Sequence, residues 1–299
     1  MMSDFDPAVR NAAWWSGDSR LVANGRGFEA VAIKLGKMER EDISHLENVR
    51  MGHTMQPVIA RLWEDKHEQR LKDYDIAGTH PRETWLRCHF DYITEDNKTL
   101  VECKNYALAV MNKFSDEGEP VRIPDADRAQ CIHEAAVAGV DTVYLAVLFG
   151  GQFFRTYRID VSEMEKEALI KQMAVYWGHI KTNTVPMPES PAQARIAWPK
   201  DEGSFKEADG MMEKACADLK IIKQQISMLE AKEGELQTYL QRAMENYSEI
   251  RAIDGTTLAT WKATKPTKRF NADLFKQSMP DIYSQFVVES PGSRRFLLK

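Results

Sequence analysis

An aspartate, a glutamate and a lysine fall close together in the stretch FDYITEDNKTLVECKNYA, residues 90–107. Asp91 sits in one apolar-rich segment, and Glu102 and Lys104 sit in the next, where a buried strand pair would carry hydrophobic side chains alone. Residues two apart on a strand share a face, so Glu102 and Lys104 project together while Cys103 points the other way. The chain holds three Glu-x-Lys triplets, at 64–66, 102–104 and 230–232, and only the middle one falls in an expected strand. On a helix the same spacing splays the two side chains around the axis, so they cannot converge on one atom.

A carboxylate from each of two neighbouring strands makes a small oxygen-rich pocket. Such a pocket suits a hard divalent cation such as Mg²⁺, which keeps several waters and takes one or two protein carboxylates. Without the cation the two acids repel, and one is driven to hold a proton. With it, a bound water becomes more acidic and a phosphoryl oxygen is polarised. A lysine on the same face can then orient the water or offset the charge that builds on the phosphate. These residue types at this spacing are equipment for metal-assisted phosphodiester hydrolysis. The rival reading needs no function: Asp91 ends a strand, and Lys104 pairs with Glu102 on an exposed edge.

The elements that must position these groups can be read from periodicity. Residues 84–93 and 99–105 read as two strands joined by the turn-rich TEDNK. Residues 126–138 read as a helix, and 141–149 with 152–159 as a second strand pair around Gly150-Gly151. Upstream, Met51, Met55, Val58, Ile59 and Leu62 have helical spacing, with a start expected near Pro57, a good first-turn residue. The order helix, hairpin, helix, hairpin implies an α+β core with a mixed sheet flanked by helices.

The chain reads as three regions: a core over 1–183, a proline-rich linker or irregular crossing over 184–204, and a C-terminal region over 205–299. In the last, Met212, Ala215, Leu219, Ile222, Ile226, Leu229, Leu236 and Leu240 alternate spacings of three and four, with Glu233 interrupting the repeat. That pattern implies a long helix packed along another helix, in the same chain or in a partner. Beyond it a strand, a turn, a short helix and a last strand are expected. Residues 262–299 carry eight Lys/Arg against three Asp/Glu, so the tail is locally positive and could track a phosphate backbone beside Trp261.

Composition bounds these readings. The 299 residues are 43% hydrophobic and 28% charged, as in an ordinary soluble globular protein. No apolar run approaches the ~20 residues that span a bilayer, and the N-terminus lacks a basic-then-apolar leader pattern. Membrane association is therefore not expected. Four scattered cysteines offer neither a zinc ribbon nor a disulfide framework, which points to a cytoplasmic setting. The net charge of −5 does not advertise a nucleic-acid binder, but a local basic surface is what counts. His53, His89 and His133 form no paired metal motif, and Trp14, Trp15, Trp63 and Trp85 read as core.

The pattern D-x(10)-E-x-K resembles the catalytic core of the PD-(D/E)XK nuclease superfamily. The wider run is similar to the YqaJ-like viral recombinases, relatives of the lambda-type phage exonuclease. The residues that carry it are MGHTMQPVIARLWE (51–64), LRCHFDYI (86–93), TLVECKNYA (99–107) and AQCIHEAAVAGVDTVYLAVLFGGQFFRTYRI (129–159). The resemblance implies a restriction-endonuclease-like α+β core. It makes Asp91, Glu102 and the backbone carbonyl of Cys103 metal ligands, Lys104 the water-orienting lysine, and Gln130 the glutamine of the following helix. The implied cofactor is Mg²⁺, with Mn²⁺ as substitute. Gln56 stands where many relatives carry a glutamate, and Ile132 where a second glutamine is common. The segment SGDSRLVANG (16–25) resembles the part that meets the DNA end, with Arg20 and Ser19 candidates for the 5′ phosphate. The activity implied is a 5′-to-3′ exonuclease on linear duplex DNA, leaving 3′ single strands for recombination with a single-strand annealing partner. The assembly implied is a trimeric ring. An endonuclease of restriction or repair type shares the same triplet, and a non-catalytic DNA-binding or scaffold protein would instead make the heptad helix its working part.

Overall fold

A computed structural model of the chain describes residues 7–74, 77–288 and 292–299. The N-terminal residues 1–6, part of the stretch read for a leader, lie outside the described residues, as does Glu289 of the basic tail. The chain divides into two units, Met1–Trp198 and Pro199–Lys299.

The first unit begins with α1 (Pro7–Asn11), β1 (Trp14–Trp15), α2 (Ser16–Ala23), α3 (Gly27–Lys34) and α4 (Glu47–His67). Short strands β2 (Leu71–Asp73), β3 (Ala77–Thr79), β4 (Leu86–His89) and β5 (Tyr92–Thr94) lead to the longer β6 (Thr99–Tyr106). A 3₁₀ turn (Leu108–Lys113) and α5 (Asp125–Ala138) cross over to β7 (Thr142–Phe149), which turns into β8 (Phe153–Asp160). Two helices, α6 (Glu163–Lys181) and α7 (Pro191–Ala197), close the unit, so the stretch read as a linker contains a helix.

Five strands form the main sheet in the order β2-β5-β6-β7-β8, antiparallel throughout except for the β6–β7 pair. The parallel pair is joined through α5, as a crossover requires. The mixed sheet flanked by helices is the α+β architecture that the element order implies. Its β7–β8 hairpin turns through Gly150 and Gly151, with φ of 58° and 70°, a left-handed pair that lets the Gln152 N–H donate back to the Phe149 carbonyl at 3.1 Å. Gly139, at φ 70°, ends α5 in the same region of backbone space.

Alternation along β6 assigns its faces. Leu100 joins the cluster of Val143, Leu145 and Cys131, on the α5 side. Val101 joins Ile59, Trp63 and Ala146, on the α4 side. Glu102 and Lys104 share parity with Leu100 and so project towards α5.

The structure corrects two expectations. The segment 84–93 is not one strand: β4 pairs with β1 and β3 in a separate three-stranded sheet, and β5 pairs with β6 in the main sheet. Phe90 and Asp91 make the crossing, with Phe90 buried and stacked on Tyr74 at 5.0 Å. Nor does the upstream helix start near Pro57. α4 runs on both sides of it, from Glu47 to His67. A proline withholds one hydrogen bond from the preceding turn, and burial of Ile59, Ala60 and Trp63 just beyond holds the helix together.

The second unit contains α8 (Gly210–Met244), the hairpin β9 (Glu249–Arg251) and β10 (Thr257–Thr260), and the short helices α9 (Ala272–Ser278) and α10 (Pro280–Gln285). Asp209 caps α8 by accepting the Met212 N–H at 2.8 Å. The last strand expected over 293–299 is not formed: residues 292–299 carry no regular structure.

Candidate active site

Asp91 lies where the chain passes from one sheet to the other. β5 pairs with β6 only through Tyr92↔Val101 and Ile93↔Leu100, so the next donor of β6 on that side has no strand partner. The Asp91 carboxylate takes its place: Oδ2 accepts the Cys103 N–H at 2.8 Å. The C=O and N–H of a strand residue point to the same side, so the Cys103 carbonyl also faces the Asp91 edge, away from β7.

On the same strand Glu102 is buried, and Lys104 donates to its Oε1 at 2.5 Å. The Gln130 amide, from α5, donates to the same Oε1 at 2.6 Å and to Oε1 of Glu134 at 2.7 Å. Its carbonyl oxygen accepts from the Arg20 guanidinium at 2.9 Å. Arg20 is held further by the Asp127 carboxylate, with which it pairs, and by the Tyr106 hydroxyl at 3.3 Å. Tyr106 in turn donates to Asp127 at 2.7 Å. One continuous network thus runs from Lys104 through Glu102 and Gln130 to Arg20.

Asp91, Glu102, Lys104, Gln130 and Arg20 all line one cavity of about 810 Å³, and Gln56 of α4 borders it too. The rival reading of an exposed Glu102–Lys104 pair fails on burial, since the side chains are 6% and 21% exposed. A buried ion pair gains little stability once desolvation is counted, so its presence asks for another reason.

The electrostatics are those of crowded acids. Burial, then the neighbouring Glu102, pushes the Asp91 carboxyl up to about 8, against the pull of Lys104 and the Cys103 N–H. Burial, then Glu102, also pushes Glu134 well above the ordinary carboxylate range. For Lys104, burial works to lower the ammonium, yet Glu102 beside it outweighs that and holds it above the usual lysine range. Arg20 is raised in the same way, burial being overcome by Tyr106 and Asp127.

These donors fit a hard dication. Two carboxyls and a carbonyl line one edge, and the crowding that raises the Asp91 carboxyl is what a bound dication would relieve. Among the described residues no group of three His, Cys, Asp or Glu side chains is placed to hold a metal ion, so the remaining ligands would be water, the carbonyl and substrate oxygen.

Ser19 is a correction. Its side chain is fully buried, accepting from Trp14 Nε1 at 3.2 Å and standing 2.8 Å from His133 Nδ1. His133 Nε2 lies 2.9 Å from the Arg87 carbonyl, which can only accept. The proton therefore sits on Nε2, and Ser19 donates to Nδ1. With both roles of its hydroxyl taken inside the core, Ser19 has no face for a phosphate. It fixes α2, and with it Arg20, against α5. Trp14, Trp15 and Trp63 are buried as expected, and Trp85 stacks on Trp177 at 5.7 Å.

Asp127, Tyr106 and Glu134 join the site from outside the Asp…Glu-x-Lys pattern. Asp127 and Glu134 lie three residues before and four after Gln130, the spacing that shares a helix face, so the signal was present. Tyr106 is two residues beyond Lys104 on the same strand face.

A mixed sheet whose central strand carries Glu102 and Lys104, with Asp91 at the break beside it and Gln130 on the crossover helix, is the arrangement that the resemblance to the PD-(D/E)XK nucleases implies. Within it, residues 26–141 match the family model of the YqaJ-like viral recombinase domain, the family that the motifs resemble. That span holds Asp91, Glu102, Lys104 and Gln130 but not Arg20. No curated protein matches the chain. Among solved structures, an alkaline exonuclease from Laribacter hongkongensis is 11% identical, covering 59% of this chain and 91% of its own, with a TM-score of 0.46. The same enzyme in complex with dAMP gives 11%, 60%, 94% and 0.47. A phage-related exonuclease from Haemophilus somnus is 10% identical over 55% of this chain and 81% of its own, with a TM-score of 0.43. Structural likeness this distant assigns no role to any residue of the site.

Proposed function

We propose that the protein is a divalent-metal-dependent exodeoxyribonuclease that degrades one strand of linear duplex DNA from its 5′ end and leaves a 3′ single strand. The observation that carries the reading is the meeting of Asp91, Glu102 and Lys104 in one cavity, with Gln130 bridging Glu102 to Arg20. Asp91, Glu102 and the Cys103 carbonyl would hold the cation, Mg²⁺ with Mn²⁺ as substitute. When bound, it supplies Lewis acidity at the phosphate and a more acidic water.

The protein groups do the rest. Lys104, kept charged by Glu102, directs donors at the scissile phosphate and offsets the charge that accumulates there. Gln130 keeps the Glu102 carboxylate in a single orientation. Arg20, braced by Asp127 and Tyr106, presents its remaining N–H groups to the 5′ phosphate, a fork that suits phosphate oxygens. Ser19 supports this arm from behind and makes no contact of its own. The 3′ strand left behind is the substrate for a single-strand annealing partner, and a ring of three copies around the duplex would permit many cuts per encounter.

Digestion of linear and covalently closed duplexes, each linear end labelled in turn, tests the reading. Release of the 5′ label first, from linear DNA alone and only with Mg²⁺ or Mn²⁺, is expected. Cutting of the closed circle would replace it with an endonuclease, and retention of both labels with a non-catalytic DNA binder.

A further inference from the structure

Residues 261–270, WKATKPTKRF, belong to the second unit and lie outside both the family match and the catalytic cavity. They carry four cations, Lys262, Lys265, Lys268 and Arg269, and the chain holds no acid from Gly255 to Ala272. Nothing in their own unit covers them: all ten are exposed, and none belongs to a helix or a strand. An aromatic side chain stands at each end, Trp261 at 50% exposure and Phe270 at 74%. Neighbouring cations repel one another, and an aromatic ring left in water forgoes the gain of burial. The segment therefore suits a partner that is anionic and also offers flat apolar faces.

Both ends are anchored. The Trp261 N–H donates to the Ser248 carbonyl at 2.9 Å, continuing the ladder in which Thr260 faces Glu249. Phe270 packs edge-on against Phe275 of α9 at 5.1 Å, and Phe275 in turn against Tyr283 of α10 at 6.5 Å. Between the anchors, Pro266 fixes its own φ and confines Lys265 to extended backbone. In the three-per-turn extended winding that proline favours, Lys262, Lys265 and Lys268 recur along one edge at intervals of roughly 9 Å. The chain from Trp261 to Phe270 reaches at most about 30 Å.

We propose that this segment is a binding site for single-stranded DNA, with phosphates along Lys262, Lys265, Lys268 and Arg269 and bases stacked on Trp261 and Phe270. Aromatic platforms beside a positive track make sites that hold a single strand without reading its sequence. A duplex offers the same phosphates but hides its base faces in its own stack, so the two rings would go unused. An anionic membrane would attract the cations too, yet residues 262–269 have only Ala263 and Pro266 to place among its acyl chains. One copy of the chain suffices for the contact. That the strand held is the 3′ strand left by digestion rests on the exonuclease reading, while the affinity itself does not.

The full-length chain is titrated by fluorescence anisotropy, in chelator so that nothing is cleaved, against an oligothymidylate of about 15 nucleotides and a blunt duplex of equal length. Trp261→Ala should weaken oligothymidylate binding by about fivefold or more, and Trp261→Phe should restore most of it. Lys262→Ala, Lys265→Ala and Lys268→Ala combined should lower the slope of log affinity against log salt by about 2. Duplex binding should be little altered in either case. All the replaced side chains are exposed, and circular dichroism checks that each variant is folded. Unchanged oligothymidylate affinity in Trp261→Ala would overturn the proposal. So would equal losses on oligothymidylate and duplex, or lost binding to phosphatidylserine vesicles with the oligothymidylate unaffected. Release of a 5′ label from linear duplex in Mg²⁺, measured on the same variants, reports on the catalytic reading separately. A chain that binds oligothymidylate through Trp261 yet releases no label would keep this site and lose the exonuclease.

Discussion

Gln130 Nε2 lies 2.6 Å from Oε1 of Glu102, joining the helix that crosses over the sheet to the strand that bears the Glu-Cys-Lys triplet. Both amide hydrogens are used, the second on Glu134, and the amide oxygen is used by Arg20. Such a fully satisfied amide orients its partners, and this one sets the distance between the acids that would hold a cation and the arginine that would hold a phosphate.

Asp91→Asn keeps an acceptor for the Cys103 N–H but removes the negative charge. Mn²⁺ binding followed by calorimetry should weaken by at least ~10-fold, while the thermal midpoint should stay level or rise, because a buried acid crowded by Glu102 is relieved. Unchanged Mn²⁺ affinity would remove Asp91 from the ligand set.

Arg20→Lys retains the charge and loses the fork. Hydrogen bonds to a charged group contribute about 1.5–3 kcal/mol, so activity on 5′-phosphorylated ends should fall by about tenfold or more, with little change on 5′-hydroxyl ends. Equal losses on both substrates would show that Arg20 braces the site without meeting the phosphate.

His133 is buried among the core groups that hold α2, and burial chiefly, with smaller contributions from His80 and Lys34, lowers its pKa from 6.5 to about 4. Between those two values the unfolded chain binds a proton that the folded chain refuses. The stability is therefore fully present above about pH 6.5 and is lost as pH falls towards 4, by about 3 kcal/mol in all. Urea denaturation of the unmodified chain and of His133→Gln across pH 7.5 to 4.5 should give curves that converge as pH falls. Parallel curves would mean that His133 titrates normally.

Gln130→Met leaves the shape and removes the three hydrogen bonds. Two buried carboxyls lose their donor, so unfolding should become easier by about 1–3 kcal/mol. Activity should fall more than stability explains, since Glu102 and Arg20 lose their common anchor. A variant with full activity would reduce Gln130 to a packing residue.

Much of the site was legible in the sequence. The alternation around Glu102 and Lys104, the turn at Gly150-Gly151 and the helix carrying Gln130 are local patterns, and each element formed within one or two residues of its expected limits. What the pattern concealed was tertiary. Residues 86–94 have continuous strand character, and only pairing with two different sheets breaks them at Asp91. Pro57 looks like a helix start because the burial of Trp63 and Ile59, which carries the helix past it, is not visible in spacing. Ser19 and Arg20 are neighbours in sequence, but consecutive helical residues point about 100° apart, so one enters the core and the other the cavity. The tail over 293–299 has strand-forming residues but, among the described residues, pairs with no strand.

Catalysis of the proposed kind requires Lys104 and Glu102 to act on a phosphodiester, and nucleotide release from a linear duplex in Mg²⁺ tests that most directly. Lys104→Ala and Glu102→Gln should each slow release by about 100-fold or more, while retaining the fold by circular dichroism and binding to duplex ends. Release at the unmodified rate from either folded variant would contradict it.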